Sequence, residues 1–134
     1  MIRGEQSAPF AIPMATVLIQ NTSHALPKTQ KAGYCDRFLC RLRGLMFRSH
    51  LAEDEGLLLV ESRDSRLDSA IHMFFVFTDL AVIWINSQNQ VVDLALARSW
   101  RPIYVPRAPA RFILEIHPSR LGEYQIGDMI ALVH

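Results

Sequence analysis

The chain has few cysteines, little excess charge and no long apolar run. Its two cysteines are too few for a secreted disulfide scaffold. Its 14 basic and 13 acidic residues give a net charge of +1, so we predict no nucleic-acid partner and no membrane partner. The longest apolar candidate covers residues 73–85 and contains Asp79, and it is shorter than the roughly 18 residues of a membrane span.

The common catalytic motifs are also missing. The sequence contains no GxSxG motif, no P-loop and no dinucleotide-binding glycine pattern. Its five histidines show no HxH or HExxH spacing, and no pair of CxxC motifs is present. We therefore predict neither a metal nor a cofactor, and the sequence leaves open whether the protein is an enzyme.

The composition predicts one globular domain. Half of the 134 residues are hydrophobic and 20% are charged, which is enough apolar material for a single core without metal or disulfide staples. Residues 1–15 carry two prolines and no periodic pattern, so they are predicted to form an irregular lead-in. The domain itself is expected to cover residues 16–134.

The N-terminus has some features of a signal peptide. Arg3 precedes an apolar stretch, and residues 23–25 form a small-x-small triplet. Glu5 and the two prolines, Pro9 and Pro13, are atypical of such a peptide. A cytoplasmic location is therefore the prediction, with a secretion signal as the alternative.

The apolar runs predict more strands than helices. Residues 80–85 are apolar throughout, which is typical of a strand buried on both faces. Residues 86–90 predict a turn, and residues 91–97 predict the second arm of a hairpin. Further strands are predicted at residues 16–21, 57–60, 111–116 and 129–133, with one helical turn at residues 118–124 and connecting turns at residues 25–33.

One helix is predicted after Asp36, which is a suitable N-cap residue. Five apolar residues then follow the spacing of one helical stripe, namely Phe38, Leu39, Leu42, Leu45 and Met46. Cys35 and Cys40 would lie about 140° apart around the axis of such a helix. This separation predicts two independent thiols rather than a disulfide.

The aromatic residues divide into two groups. We expect a core set consisting of Phe74, Phe75, Phe77, Trp84 and Phe112, because they lie in strongly apolar segments. Trp100 and Tyr104 lie in a segment with three prolines, which predicts an extended loop. They are therefore candidates for an exposed binding surface.

Two polar residues stand out in apolar surroundings. Arg43 next to Gly44 could hold a carboxylate or phosphate through its guanidinium, or it could form a structural ion pair with Glu55, Glu115 or another acid. His72 could serve as an acid, a base or a ligand, or it could be a hydrogen-bonded wall of a pocket.

Two further candidates are carboxylates, Glu115 and Asp128, whose roles are interpreted from their neighbours in sequence. Glu115 shares a strand face with Arg111 and His117, so the three side chains could form a paired surface row or line a cleft. Asp128 follows Gly127 and predicts turn chemistry, in which the carboxylate accepts hydrogen bonds from nearby backbone N–H groups.

Several blocks, taken in order, resemble the family called DUF192 or UPF0127. The blocks are residues 41–48, 55–59, 71–75, 82–86, 110–115 and 126–128. The resemblance extends over about residues 16–133. It implies a mainly β (α+β) fold, a compact antiparallel β barrel-like single domain with one or two short helices, and no established activity.

The sequence departs from this family at one carboxylate. The family's central strand usually begins with a proline, an aliphatic residue and an aspartate, and Ala81 stands at the aspartate position here. Asp79 lies two residues earlier, which preserves strand parity. It could point to the same side as the family carboxylate, or it could be an ordinary turn residue.

A binding module for a small molecule or a protein partner is the function that we expect. Its candidate binding residues are Arg43, His72, Asp79, Trp100, Tyr104 and Glu115. One alternative is an enzyme that uses His72 with Glu115 or Asp79 as acid and base. The other is a structural domain that forms a homodimer through a strand edge or an apolar patch.

Overall fold

The computed structural model describes residues 14–134, so residues 1–13 of the predicted lead-in lie outside the described part of the chain. The described part contains seven strands, one α-helix and one 3-10 helix. They are β1 (Thr16–Asn21), β2 (Gln30–Cys35), α1 (Phe38–Arg43), β3 (Gly56–Ser65), β4 (Leu80–Ile85), β5 (Val91–Ala97), β6 (Ala110–Ile116), the 3-10 helix (Pro118–Glu123) and β7 (Ile130–Val133).

The seven strands form one curled sheet with the order β5-β4-β6-β3-β2-β1-β7. Every neighbouring pair is antiparallel except β2 and β3, which are parallel. The two edge strands approach each other where the Val91 N–H donates to the Asp128 carbonyl oxygen at 2.9 Å. The sheet is therefore a half-barrel, which confirms the mainly β fold class.

Strand β4 is the centre of the core, and all six of its residues are buried. Its alternate residues enter two separate apolar clusters, Leu80, Val82 and Trp84 in one and Ala81, Ile83 and Ile85 in the other. The antiparallel pairing of β4 with β5 runs from Leu80 opposite Ala97 to Ile85 opposite Val91. This pairing confirms the predicted hairpin, and the burial of every β4 residue confirms the prediction of a strand covered on both faces.

Helix α1 is shorter than predicted. Arg37 rather than Asp36 occupies its N-cap position, and the Arg37 side chain makes no capping hydrogen bond within residues 14–134. Gly44 ends the helix with a φ of +50° and donates its N–H to the Cys40 carbonyl oxygen at 2.8 Å. The predicted apolar stripe is only partly buried, since Phe38, Leu39 and Leu42 are 55–68% exposed.

The prediction of two independent thiols is wrong, because Cys35 and Cys40 form a disulfide. The angular argument assumed that both residues lie in one helix. Cys35 instead ends strand β2, and the helix begins only at Phe38. The turn between these elements brings the two buried sulfur atoms together.

The predicted aromatic core is correct for Trp84 and Phe112, which are 1% and 6% exposed. It is wrong for Phe74, Phe75 and Phe77, which are 42–46% exposed. The segment that carries these three rings is not a strand but a series of turns. Buried positions in it are taken by Met73 and Val76, so the rings point away from the core.

Candidate functional site

A cavity of about 50 Å³ lies where the end of α1 meets residues 70–73 and strand β6. Its polar wall includes Arg43, His72 and Glu115, three of the candidate binding residues predicted from the sequence. Its apolar wall includes Met46, Leu59, Met73, Val76 and Leu80. A volume of this size holds roughly one or two water-sized groups.

Glu115 is the most deeply placed polar group of this cavity. It lies within β6, opposite Leu57 of β3 and Val82 of β4, and its side chain is 4% exposed. Its Oε1 atom has no hydrogen-bond partner among residues 14–134. Burial raises the pKa of this carboxyl to about 7, because the charged form loses its hydration. The sheet thus holds a carboxyl group that takes up a proton near neutral pH.

The other members of the predicted polar row have separate partners. Arg111 donates from Nε to the Glu61 carbonyl oxygen at 2.9 Å. His117 pairs through Nδ1 with the Ser119 hydroxyl at 2.8 Å. Of the three side chains, Glu115 alone lines the cavity.

His72 reaches the same cavity from a loop between β3 and β4. Its neighbour Ile71 exchanges two backbone hydrogen bonds with Tyr104, at 2.9 and 3.0 Å, which fixes this part of the loop. The His72 Nδ1 atom accepts the N–H of Phe74 at 3.3 Å. A neutral ring in this arrangement carries its proton on Nε2, where it remains a donor.

Arg43 is the last residue of α1 and brings a permanent positive charge to the cavity wall. The backbone at Gly44 turns next to it with a positive φ, which favours glycine. A Cβ atom on Gly44 would lie 3.8 Å from Glu115 Oε1, so the end of the helix is in close proximity to the buried carboxyl.

Asp79 and Tyr104 do not line this cavity. Asp79 accepts the Ser99 N–H at 2.8 Å, and its carboxylate lies 3.6 Å from Nη1 of Arg98. The Tyr104 hydroxyl accepts the Arg98 N–H at 2.8 Å. Both side chains therefore anchor the loop after β5, which is the turn alternative considered for Asp79.

Trp100 is 46% exposed, but it also lies outside the cavity. Its ring contacts Phe75 and Phe77 at centroid distances of 4.9 and 5.8 Å, and Phe75 contacts Phe47 at 5.5 Å. We call these four residues the aromatic cluster. The sequence does not predict this cluster, because apolar residues next to a buried strand are typical of a core.

Two further features follow from the described residues alone. No group of three His, Cys, Asp or Glu side chains within residues 14–134 is placed to hold a metal ion. None of the helices in this range has the length and hydropathy needed to cross a bilayer.

Two solved structures share this fold. A crystal structure from Sinorhizobium meliloti 1021, described as a “putative transcription regulator”, matches with a TM-score of 0.76 and 20% identity, over 91% of this chain and 97% of that one. A protein of unknown function from Novosphingobium aromaticivorans matches with a TM-score of 0.72 and 22% identity, over 95% of this chain and 94% of that one. At these identities the likeness shows the fold alone.

Sequence relatives give a closer relation. A UPF0127 protein of Thermococcus gammatolerans is 40% identical over 98 residues, which cover 72% of this chain and 62% of that protein. One from Pyrococcus horikoshii is 34% identical over 116 residues, which cover 84% and 96%. The chain spans 62–66% of the length of three Thermococcus relatives. The model of the DUF192 family, described as an uncharacterized ACR, matches residues 18–132, and the chain therefore belongs to the DUF192 family.

Proposed function

We propose that this protein is a binding module whose cavity receives the carboxylate end of a small ligand. The observation that carries the proposal is Glu115 Oε1, which is buried without a partner in the described chain and shares its cavity with Arg43 and His72. A buried polar atom without a hydrogen bond costs about 1–3 kcal/mol, and a ligand that supplies the missing partner recovers much of that cost.

The combination of groups favours an anion over an amine. Arg43 and the Nε2–H of His72 are donors, and a protonated Glu115 adds a third donor. A ligand carboxylate can accept all three hydrogen bonds. An ionised Glu115 would repel the same ligand, so binding requires the proton on Glu115.

The cavity size limits which part of the ligand enters. About 50 Å³ admits a carboxylate but not an aromatic ring or a nucleotide. The remainder of the ligand must therefore lie outside the cavity. We infer that the site recognises a terminal carboxylate on a small molecule.

Acetate and propionate, titrated between pH 5.5 and 8.5 and followed by NMR, test this proposal. We expect the affinity to fall about tenfold per pH unit above pH 7, because Glu115 must be protonated for binding. Glu115→Gln should bind without this pH dependence, since the amide stays neutral and keeps an N–H donor. The control Glu53→Gln changes an exposed carboxylate outside the cavity and should behave like the wild type. Undetectable acetate binding throughout this pH range would remove the proposal.

A second candidate function is general acid–base catalysis at the same cavity. It is favoured by a Glu115 pKa of about 7 and by His72 in the same wall. A catalytic acid or base works best when its pKa lies near the pH at which the enzyme operates. Turnover separates the two functions, because Glu115→Gln keeps its ligand affinity in either case. Only an enzyme turns over the bound carboxylate compound in the wild type and loses that turnover in Glu115→Gln.

A further inference from the structure

The backbone of the aromatic cluster adopts an unusual conformation. Among residues 14–134, the non-glycine residues with positive φ are Phe47 (68°), Phe75 (60°), Trp100 (67°) and Asn89 (63°). Asn89 lies in the β4–β5 turn, where this conformation is common for asparagine. For bulky aromatic residues it is a strained outlier, and such outliers collect at functional surfaces.

Hydrogen bonds between three separate segments hold this conformation. The Phe47 N–H donates to the Phe75 carbonyl oxygen at 2.6 Å, and the Phe77 N–H donates to the Arg48 carbonyl oxygen at 3.1 Å. The Trp100 N–H donates to the Met73 carbonyl oxygen at 3.0 Å. The fold therefore fixes the aromatic cluster in position rather than leaving it on loose loops.

The aromatic cluster is nevertheless open to solvent. Phe47 is 62% exposed, and the other three members are 44–46% exposed. Four rings that are about half exposed present roughly 400 Å² of apolar surface. Helix α1, which ends four residues before Phe47, also exposes Phe38, Leu39 and Leu42. An apolar surface of this extent on a soluble domain is typical of an interaction site.

The chain segments around this surface are strongly basic. Residues 37–48 and 98–105 contain six arginines and no Asp or Glu, namely Arg37, Arg41, Arg43, Arg48, Arg98 and Arg101. Three of them form ion pairs, Arg41 with Glu61 at 3.4 Å, Arg48 with Glu55 at 3.5 Å and Arg98 with Asp79 at 3.6 Å. Arg43 lies at the Glu115 cavity, so the positive excess comes from Arg37 and Arg101, which pair with no Asp or Glu among residues 14–134. The net charge of +1 for the whole chain conceals this local excess of positive charge.

We propose that the aromatic cluster docks on an anionic lipid surface. Phe and Trp rings insert at the boundary between headgroups and acyl chains, and the surrounding arginines contact lipid phosphates. A peptide partner would favour a groove between the rings, and a nucleic-acid partner would favour open ring faces on which bases can stack. The rings pack against each other instead, Phe75 on Trp100 with planes 61° apart, and none of them lines the Glu115 cavity.

The two tryptophans permit a direct test with phosphatidylcholine vesicles that contain phosphatidylglycerol and brominated acyl chains. Trp100 is 46% exposed and should be quenched on docking, whereas Trp84 is 1% exposed and should not respond. Trp100→Phe should abolish the quenching while the protein still sediments with the vesicles. Vesicles of phosphatidylcholine alone, or high salt, should weaken binding strongly.

Variants distinguish docking from non-specific adhesion. Trp100→Ala should weaken vesicle binding about tenfold, because half of a large aromatic side chain no longer enters the interface. Arg101→Ser, which leaves all four rings in place, should weaken it about fivefold. Leu67→Ala removes an 80% exposed apolar side chain outside this surface and should change nothing.

Three results would overturn the proposal. The first is no sedimentation with phosphatidylglycerol vesicles, and the second is an equal loss of binding in Leu67→Ala and Trp100→Ala. The third is a dimer, detected by light scattering without lipid, that Trp100→Ala dissociates. In that case a second copy of the chain covers the aromatic cluster.

Discussion

Glu115 links the candidate site to a measurable property of the whole protein. Its pKa is about 7 in the folded chain against an ordinary value of 4.5, so the folded state binds more protons than the unfolded state between these pH values. The free energy of unfolding should therefore fall by about 3 kcal/mol as pH rises from 4.5 to 7 and then level off. Glu115→Gln should remove this decrease, as measured by urea unfolding at pH 4.5 and pH 8.

The comparison with Glu115→Gln is needed because other groups titrate in the same range. Subtracting the variant's pH profile from that of the wild type isolates the contribution of this one carboxyl. Identical profiles for the two proteins would show that folding leaves the pKa of Glu115 unshifted, which would contradict the buried carboxyl with a raised pKa.

Asp128 shows the opposite shift, and one of its causes, the Gln125 N–H, is the turn hydrogen bond that the sequence predicts. Burial disfavours its charge, but hydrogen bonds from Asn21 Nδ2, the Gln125 N–H and His24 Nδ1 at 2.8–2.9 Å outweigh burial and lower its pKa. The stability that Asp128 contributes is present above its ordinary pKa and is lost as pH falls through the lower folded value.

Removal of the Asp128 carboxylate should destabilise the fold. Asp128→Ala removes the 2.8 Å partner of the buried Asn21 amide, which keeps only a 3.4 Å contact with the Glu123 carbonyl oxygen, and should cost about 2–3 kcal/mol at pH 7, measured by thermal unfolding. Asp68→Ala is a suitable control, because its side chain forms an exposed ion pair with Arg63 at 3.5 Å and should matter by less than about 1 kcal/mol. Equal effects of the two substitutions would contradict this role of Asp128.

At the level of elements, the disulfide ties the end of β2 to helix α1, which carries Arg43 to the cavity. It closes a loop of about six residues, so the chain-entropy relation gives about 2 kcal/mol of stabilisation. Reductant should lower the melting temperature of the wild type and leave a Cys35→Ala/Cys40→Ala double variant unaffected. Two titratable thiols in the unreduced, denatured protein would contradict the disulfide.

Some elements were predictable because local pattern alone determines them. Strand β4 has apolar residues at every position and is followed by an Asn- and Gln-rich turn, so its bounds and those of β5 were predicted correctly. Strand β2 was missed because it contains Gln30, Lys31 and Gly33, and its pairing with β1 and β3 is a tertiary property. Strand β3 extends beyond its apolar part to Ser65, where polar residues still pair.

The disulfide also bears on the expected location. Disulfides are typical of proteins in oxidising compartments, whereas the cytoplasmic prediction depended on Glu5, Pro9 and Pro13 being atypical of a signal peptide. The structure does not test the location, which stays a prediction.

At the scale of the whole molecule, the curled sheet decides which predicted residues meet. Arg43, His72 and Glu115 lie on a helix, a loop and a strand, and each was selected from the sequence by its chemistry. Their convergence was not predictable, because it depends on how α1 and the loop before β4 fold against β6. Asp79 and Tyr104 were also candidate binding residues, but their side chains accept backbone N–H groups of the loop after β5.

The outward direction of the exposed aromatic rings was likewise not predictable from the sequence. A run of Phe residues next to a buried strand predicts a core, and only the turns at residues 72–79 direct the rings outward. Hydrophobicity predicts burial on average, whereas the direction of each side chain depends on backbone geometry that the sequence does not display.

The most direct measurement is a carbon NMR titration of the Glu115 carboxyl with and without acetate. The account predicts a pKa of about 7 in the free protein and a higher value with acetate, because a bound carboxylate favours the proton on Glu115. A carboxyl that titrates near 4.5 and does not respond to acetate would contradict both the buried acid and the binding site built around it.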